Sequence, residues 1–155
     1  MRRRMDSRSV RGAALVEFAL AMLFLPLLAF GSVDFARVYQ QQTKLRNAAR
    51  EGASFAQFYP ANIGPTTCPS SGSTQTIVAR VTGADSSAGI ATSDVSVLKN
   101  GAPIAQDTCS TTFAVGDRVT VRVSGAFTIL TPLVTQITGT KTVTLTASDT
   151  VVVQR

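Results

Sequence analysis

The pattern of hydrophobic and polar positions divides the chain into an apolar N-terminal run, an amphipathic stretch and a strand-rich remainder. Between Ala13 and Val33 the only charged residue is Glu17, over 21 positions. As a helix this run would be about 32 Å long, which matches the ~30 Å hydrocarbon core of a membrane. The pattern therefore predicts one membrane-spanning helix near the N-terminus, with a kink at Pro26 because proline removes a helical hydrogen bond.

The helical pattern continues beyond the apolar run. Apolar or small residues recur at steps of three and four with one polar exception: Phe35, Val38, Gln42, Leu45, Ala49, Gly52 and Ala56. This spacing is typical of an amphipathic helix, and its small residues allow close approach of a partner's backbone. Tyr59-Pro60 ends the pattern, since the residue before a proline is pushed out of helical geometry. We expect one bent helix from about residue 14 to residue 58.

The remainder of the chain carries the signature of a small sheet. Residues 61–73 are rich in Pro, Gly, Ser and Thr and predict a loop, whereas residues 74–84 fit a short helix or a strand. Period-two alternation then predicts strands with one buried face. The inward positions are Val95 and Val97, then Val119, Val121 and Val123, then Val143, Leu145 and Ala147. With a turn at "KNG", residues 99–101, the fold class is α+β, a long helix followed by a small antiparallel sheet.

The positive charge is concentrated at the N-terminus. The formal net charge is +6, but five of the 15 basic residues lie in the first 12 positions. Without these 12 positions, which also include Asp6, the net charge is +2. A surface that binds phosphates would keep its charge after that subtraction, so no nucleic-acid partner is expected. The leader is interpreted as a cytoplasmic flank of the apolar run. The 20 residues after Val33 contain four Lys or Arg, however, so the charge difference is a weak guide to orientation.

The two cysteines, Cys68 and Cys109, lie in the C-terminal part. An even pair in a domain outside the cytosol suggests one disulfide. It would close a loop of roughly 42 residues and contribute about 4 kcal/mol. The alternative is two unconnected buried thiols.

The sequence contains no recognisable catalytic motif. The chain contains no His, and it shows no Ser/His/Asp or Cys/His arrangement and no Gly-rich phosphate loop. A zinc site would need to be built almost wholly from carboxylates, which is atypical. We therefore expect no enzyme activity, no cofactor and no metal.

The N-terminal motifs resemble a known family. Gly12, the four residues AALV and Glu17-Phe18 resemble the leader junction of type IV pilin-like proteins. Together with Pro26, "VDFARVY" at 33–39 and "LRNAAREGA" at 45–53, they resemble the TadE-like family. These are pseudopilins or minor pilins of the tight-adherence (Tad/Flp) pilus systems. The resemblance covers residues 11–53 and is loose beyond Pro60.

The resemblance implies a processing reaction and an assembly contact. A prepilin peptidase would cut after Gly12 on the cytoplasmic face and free the amine of Ala13. Glu17, with Phe18 part of the recognition motif, would then pair with the Ala13 amine of a neighbouring subunit. A carboxylate at mid-membrane costs up to ~2.5–3.5 kcal/mol, and less near a helix end, so pairing would favour assembly. The alternative is that the Glu17 carboxylate reaches water at the membrane interface and has no role in assembly.

The expected organisation follows. Residues 1–12 form a basic leader, 13–33 a transmembrane segment, 34–59 an amphipathic helix stem and 60–155 an extracytoplasmic α+β head. The protein would be single-pass in the cytoplasmic (inner) membrane with its N-terminus in the cytoplasm, and the resemblance leaves open whether it enters the extracellular pilus. Its partners would be the membrane, the prepilin peptidase, other pilin or pseudopilin subunits and the Tad assembly machinery.

Two rival functions remain open from the sequence. "AFGS", residues 29–32, suits a signal peptidase, and a cut after Gly31 would release a soluble binding domain. An uncleaved chain would instead be a single-span membrane scaffold. The first residue of the mature protein separates the three cases: Ala13, Ser32 or Met1.

Overall fold

Over the residues that the structure describes, the fold consists of a long helix, a short second helix and a four-stranded sheet. The structure is a computed structural model that describes residues 7–64, 73–106, 111–130, 136 and 139–154, with side chains described from Gly12 onward. Helix α1 spans Ser7–Ala56 and contains Pro26, and α2 spans Ile77–Ala84. Two short 3₁₀ turns follow α2. The strands are β1 (Val95–Lys99), β2 (Ala102–Ile104), β3 (Arg118–Thr128) and β4 (Thr142–Val152).

The sheet is antiparallel throughout, with strand order β2-β1-β3-β4. The long strands β3 and β4 pair from Arg118↔Val152 to Thr128↔Thr142. Asn100 and Gly101 close the β1–β2 hairpin with φ angles of 50° and 88°. Positive φ at both central residues is the geometry of a two-residue hairpin turn, which Asn-Gly favours. The predicted turn at residues 99–101 and the α+β fold are confirmed.

The core forms where the second half of α1 packs against the sheet and α2. Leu45 and the small residues after it are fully buried, as are the inward valines of β1 and β3. At Gly52 the helices are so close that an added Cβ would overlap Cγ2 of Val81 on α2 and lie 3.2 Å from Cγ1 of Val121 on β3. The small residues of the stem therefore bring α1 against this chain's own head, and in this structure they are not available to another subunit.

The structure settles one alternative that the sequence left open and corrects one prediction. Residues 74–84 contain a helix, which begins after Thr76, whose hydroxyl accepts a hydrogen bond from the Ala79 amide at 3.1 Å. The prediction that Val143 is buried with its strand neighbours is wrong, because its side chain is 41% exposed. Val143 is the second residue of β4, which among the described strands pairs on one side only, with β3.

The end of the sheet far from the apolar helix is held by Asp117. Its carboxylate accepts hydrogen bonds from the Ala114 amide at 2.8 Å and the Asn100 side chain at 2.9 Å, and it pairs with Lys99 at 3.0 Å. These interactions favour the charged form, with the Ala114 bond the largest cause, and lower the pKa of Asp117 to about 2. The group fastens the start of β3 to the β1–β2 turn.

Candidate functional site

The junction motif lies on the exposed N-terminal half of α1. The helix passes through Gly12 without a break, and every described side chain from residue 12 to residue 30 is exposed. Ala13 and Glu17 are one turn apart and share a helix face, so their axial separation is about 6 Å. Phe18 is 60% exposed. The structure therefore places the four predicted junction residues on one continuous helix and leaves their side chains open to the surroundings.

The exposed half of α1 is strongly apolar. Its side chains include Leu15, Leu23 and Phe30, which are between 62% and 69% exposed. Among the residues that the structure describes, α1 is the one helix long and apolar enough to cross a membrane. Length and composition alone do not separate an anchor from a signal sequence, but so large an apolar surface requires a partner of low polarity.

The point where α1 enters the head carries a compact polar contact. Asp34 is only 8% exposed, although it directly follows the apolar run. Its Oδ1 accepts a hydrogen bond from the Leu130 amide at 3.4 Å and lies 3.5 Å from Nη1 of Arg37. The guanidinium carbon of Arg37 in turn lies 5.2 Å from the centre of the Phe127 ring. We call Asp34, Arg37, Phe127 and Leu130 the base cluster.

The base cluster was only partly visible in the sequence. The one-turn spacing of Asp34 and Arg37 suggests an ion pair, but such a pair on a helix surface contributes only a few tenths of a kcal/mol. The structure shows instead that Asp34 is covered by a strand end 96 residues away in sequence. A lone acid directly after an apolar run was the available signal.

Further side-chain contacts hold the stem to the head beyond the base cluster. The Gln42 amide donates to the Thr146 carbonyl at 3.0 Å on β4, and Lys44 donates to the Ser87 hydroxyl at 2.7 Å. Farther along, the Arg80 guanidinium donates to the Glu51 carboxylate at 3.0 Å and lies over the ring of Phe55. The head thus contacts α1 along the second half of the helix, and the first half stays exposed.

Comparison with known proteins finds a family similarity over part of the chain. Residues 12–54 match a family model described as TadE-like protein. The chain carries a TadE-like segment. The matched range begins at Gly12 and ends two residues before α1 does, so the TadE-like segment covers the junction, the exposed apolar half and most of the stem. No curated protein and no solved structure matches the chain significantly.

The TadE-like segment supplies the functional context for the site. TadE-like proteins are pilin-like components of Tad pilus systems, and the match makes residues 12–54 of this chain similar to them. The single apolar helix fits a single-pass membrane protein of such a system. The segment thus combines an exposed apolar surface with a stem that is buried in a folded head.

The remaining sequence predictions concern cysteines and metals. Cys68 and Cys109 lie outside the described residues, so their predicted disulfide stays a prediction. Within the described ranges no group of three or more His, Cys, Asp or Glu side chains is arranged to hold a metal ion.

Proposed function

We propose that the protein is a membrane-anchored, pseudopilin-like subunit for assembly of a Tad/Flp-type pilus, and that it acts by binding rather than by catalysis. One observation carries this proposal: the TadE-like segment coincides with a helix whose first half is apolar and exposed and whose second half is the core of a head. A pilin-like subunit needs both parts, an apolar helix for membrane and subunit contacts and a folded domain to present outside.

The proposed organisation has a leader at 1–12, a membrane segment at 13–33, a stem at 34–59 and an extracytoplasmic head at 60–155. Prepilin peptidase removes the leader by cutting after Gly12. Since this peptide bond lies inside α1, the helix must open locally before cleavage. Glycine lowers that cost, because it is about 1 kcal/mol less favourable than alanine in a helix.

Glu17 is the proposed assembly contact after cleavage. The new Ala13 amine and the Glu17 carboxylate both lie near one end of the apolar run, where each is costly to hold without a partner. The Glu17 side chain is exposed in the single chain. A neighbouring subunit that supplies its own Ala13 amine would offset part of this cost, so paired subunits are favoured over single ones and their axial register is fixed.

Sequencing the N-terminus of the protein purified from cells that contain the peptidase tests the processing step. The proposal expects Ala13 as the first residue. Ser32 would instead favour a secreted head, and this rival has one point in its favour: the described buried side chains begin at Asp34, so a cut after Gly31 would leave the packing intact. Met1 would favour an unprocessed scaffold.

Substitution of Glu17 tests the assembly contact. If pairing stabilises the complex by about 1.4 kcal/mol or more, Glu17→Gln weakens association at least tenfold. Chemical crosslinking of neighbouring subunits in membranes measures this loss. Glu51→Gln is the matched control, because Glu51 is the only other glutamate and lies on the same helix, paired with Arg80 in the head. Equal crosslinking of the Glu17→Gln variant and the parent would remove the pairing from the proposal.

A further inference from the structure

We propose that the head is seated on the bilayer, with the end of the sheet nearest the apolar helix in contact with the boundary between lipid headgroups and acyl chains. The contacting residues, which we call the base surface, are Val33, Phe35, Tyr39, Leu130 and Val143. This inference rests on the proposed membrane anchoring of α1 and goes beyond it, because an anchored head could equally stand clear of the lipid on a stalk.

The base cluster fixes the height of the head. Asp34 follows directly after Val33, the last residue of the apolar run. The Leu130 amide donates to Asp34 at 3.4 Å, so the end of β3 lies level with the last apolar turn of α1. If the apolar run fills the hydrocarbon core up to Val33, Leu130 is held at the membrane surface.

No stalk separates the two parts of α1. The helix is continuous from Ser7 to Ala56, and its contacts with the head begin at Asp34. To lift the head away from the lipid, the Asp34–Leu130 bond and the packing of Arg37 on Phe127 would both have to break. The seated position is therefore the one that the folded chain already specifies.

The chemistry of the base surface suits a lipid boundary better than water. Phe35, Tyr39 and Leu130 are 73%, 66% and 64% exposed, and Val143 is 41% exposed. Phe35 and Tyr39 are one turn apart on the same helix face, within about 9 Å of the end of the apolar run. Tyrosine is enriched at this depth of a membrane, where its apolar ring and its polar hydroxyl are both satisfied, and Phe35 adds apolar surface beside Tyr39.

A cation accompanies this apolar surface. Lys141 is exposed, and its carbonyl accepts a hydrogen bond from the Ile129 amide at 2.9 Å, directly beside Leu130. A lysine next to an exposed leucine at the end of a sheet fits anionic headgroups, which attract basic side chains close to the surface.

The opposite end of the sheet provides a matched control. Val115 is 73% exposed, and the neighbouring Gly116 amide bonds Val153, close to the point where Gln154 bonds Gln57 just beyond the end of α1. Gln57 is 23 residues beyond Asp34, so Val115 should stand about 35 Å farther along the helix axis than the base cluster. Val115 and Phe35, which are both 73% exposed, are thus expected at very different heights above the membrane.

Tryptophan fluorescence tests the proposal, because the chain contains no tryptophan. Full-length variants that carry one tryptophan each, at Leu130, Phe35, Val115 or Leu23, are reconstituted in phosphatidylcholine and phosphatidylglycerol vesicles. The vesicles contain lipids with a quencher either near the headgroup or deep in the acyl chain. All four positions are exposed, so the substitution disturbs little packing, and circular dichroism confirms that each variant is folded.

The expected result is that headgroup-level quencher reduces emission at positions 130 and 35 at least twofold more than at position 115. Deep quencher acts most strongly at position 23. Unquenched emission at positions 130 and 35 together with quenching at 23 would overturn the seated head while leaving the anchor in place. Loss of quenching at 23 would remove the membrane anchor itself. Protection of position 130 from both lipid quencher and aqueous iodide would show that protein covers the base surface, and would also overturn the proposal.

Discussion

Replacing Gly52 with alanine tests how closely α1 and α2 must approach. An alanine Cβ at this position would overlap Cγ2 of Val81 and crowd Cγ1 of Val121, and both valines are fully buried. Valine is branched at Cβ and has little freedom to swing aside. The substitution is therefore expected to push the two helices apart.

Two opposing terms set the size of the effect. Alanine improves helix propensity by about 1 kcal/mol over glycine. Overpacking a filled core typically costs about 1–3 kcal/mol, and the overlap with Val81 places Gly52→Ala toward the upper part of that range. We expect a net loss of about 1–2 kcal/mol in the free energy of unfolding. At a typical urea dependence this lowers the denaturation midpoint by about 0.5–1 M.

The assay is urea denaturation of the full-length chain in detergent micelles, followed by far-ultraviolet circular dichroism. Gly83→Ala is the matched control, because Gly83 lies in α2 with nothing within 4 Å of an added Cβ. It is expected to raise stability by up to about 1 kcal/mol. Combining Gly52→Ala with Val81→Ala removes the overlapping methyl, so the double variant should lose less than the sum of the single losses, with a coupling of about 1 kcal/mol. A Gly52→Ala variant that gains stability as the control does would refute the close contact.

Three further predictions use the same denaturation assay. Asp34→Ala should lower the free energy of unfolding by about 1–3 kcal/mol, because the Leu130 amide and Arg37 lose a charged partner; unchanged stability would show that the base cluster is not a structural contact. The pKa of Asp117 is lowered from 3.8 to about 2, so its stabilising contribution is complete above its unfolded pKa and is lost as the pH falls through 3.8 toward 2. Asp117→Asn should therefore flatten the acid limb of a stability-against-pH curve, and an unaltered limb would contradict this. Gly101→Ala should cost about 1–2 kcal/mol, since φ is 88° there, and a neutral result would argue against the tight turn.

The features that could be predicted from the sequence are those set by local periodicity. Steps of three and four over many residues indicated the stem, and the Asn-Gly pair located the hairpin turn, because both depend on neighbouring residues. The identity of residues 74–84 depended on tertiary space beside Gly52 as well as on the Thr76 cap. A short apolar run suits a helix and a strand equally, so the sequence alone does not show the effect of either factor.

The features that could not be predicted depend on distant parts of the chain. Burial of Asp34 is produced by a strand end 96 residues away, which no local pattern reveals. Alternation correctly indicated which side of β4 faces inward, but it does not show how far along the strand the covering layer extends. Val143 is therefore exposed although its spacing matches that of the buried Ala147.

The unbroken course of α1 has a mechanical consequence. One continuous helix joins the exposed apolar residues to the sheet, and it contacts the head at both Asp34 and Gly52. A pull or a torque applied to the exposed N-terminal half of α1 would therefore be passed directly to the sheet, because the helix is continuous from Pro26 to Ala56.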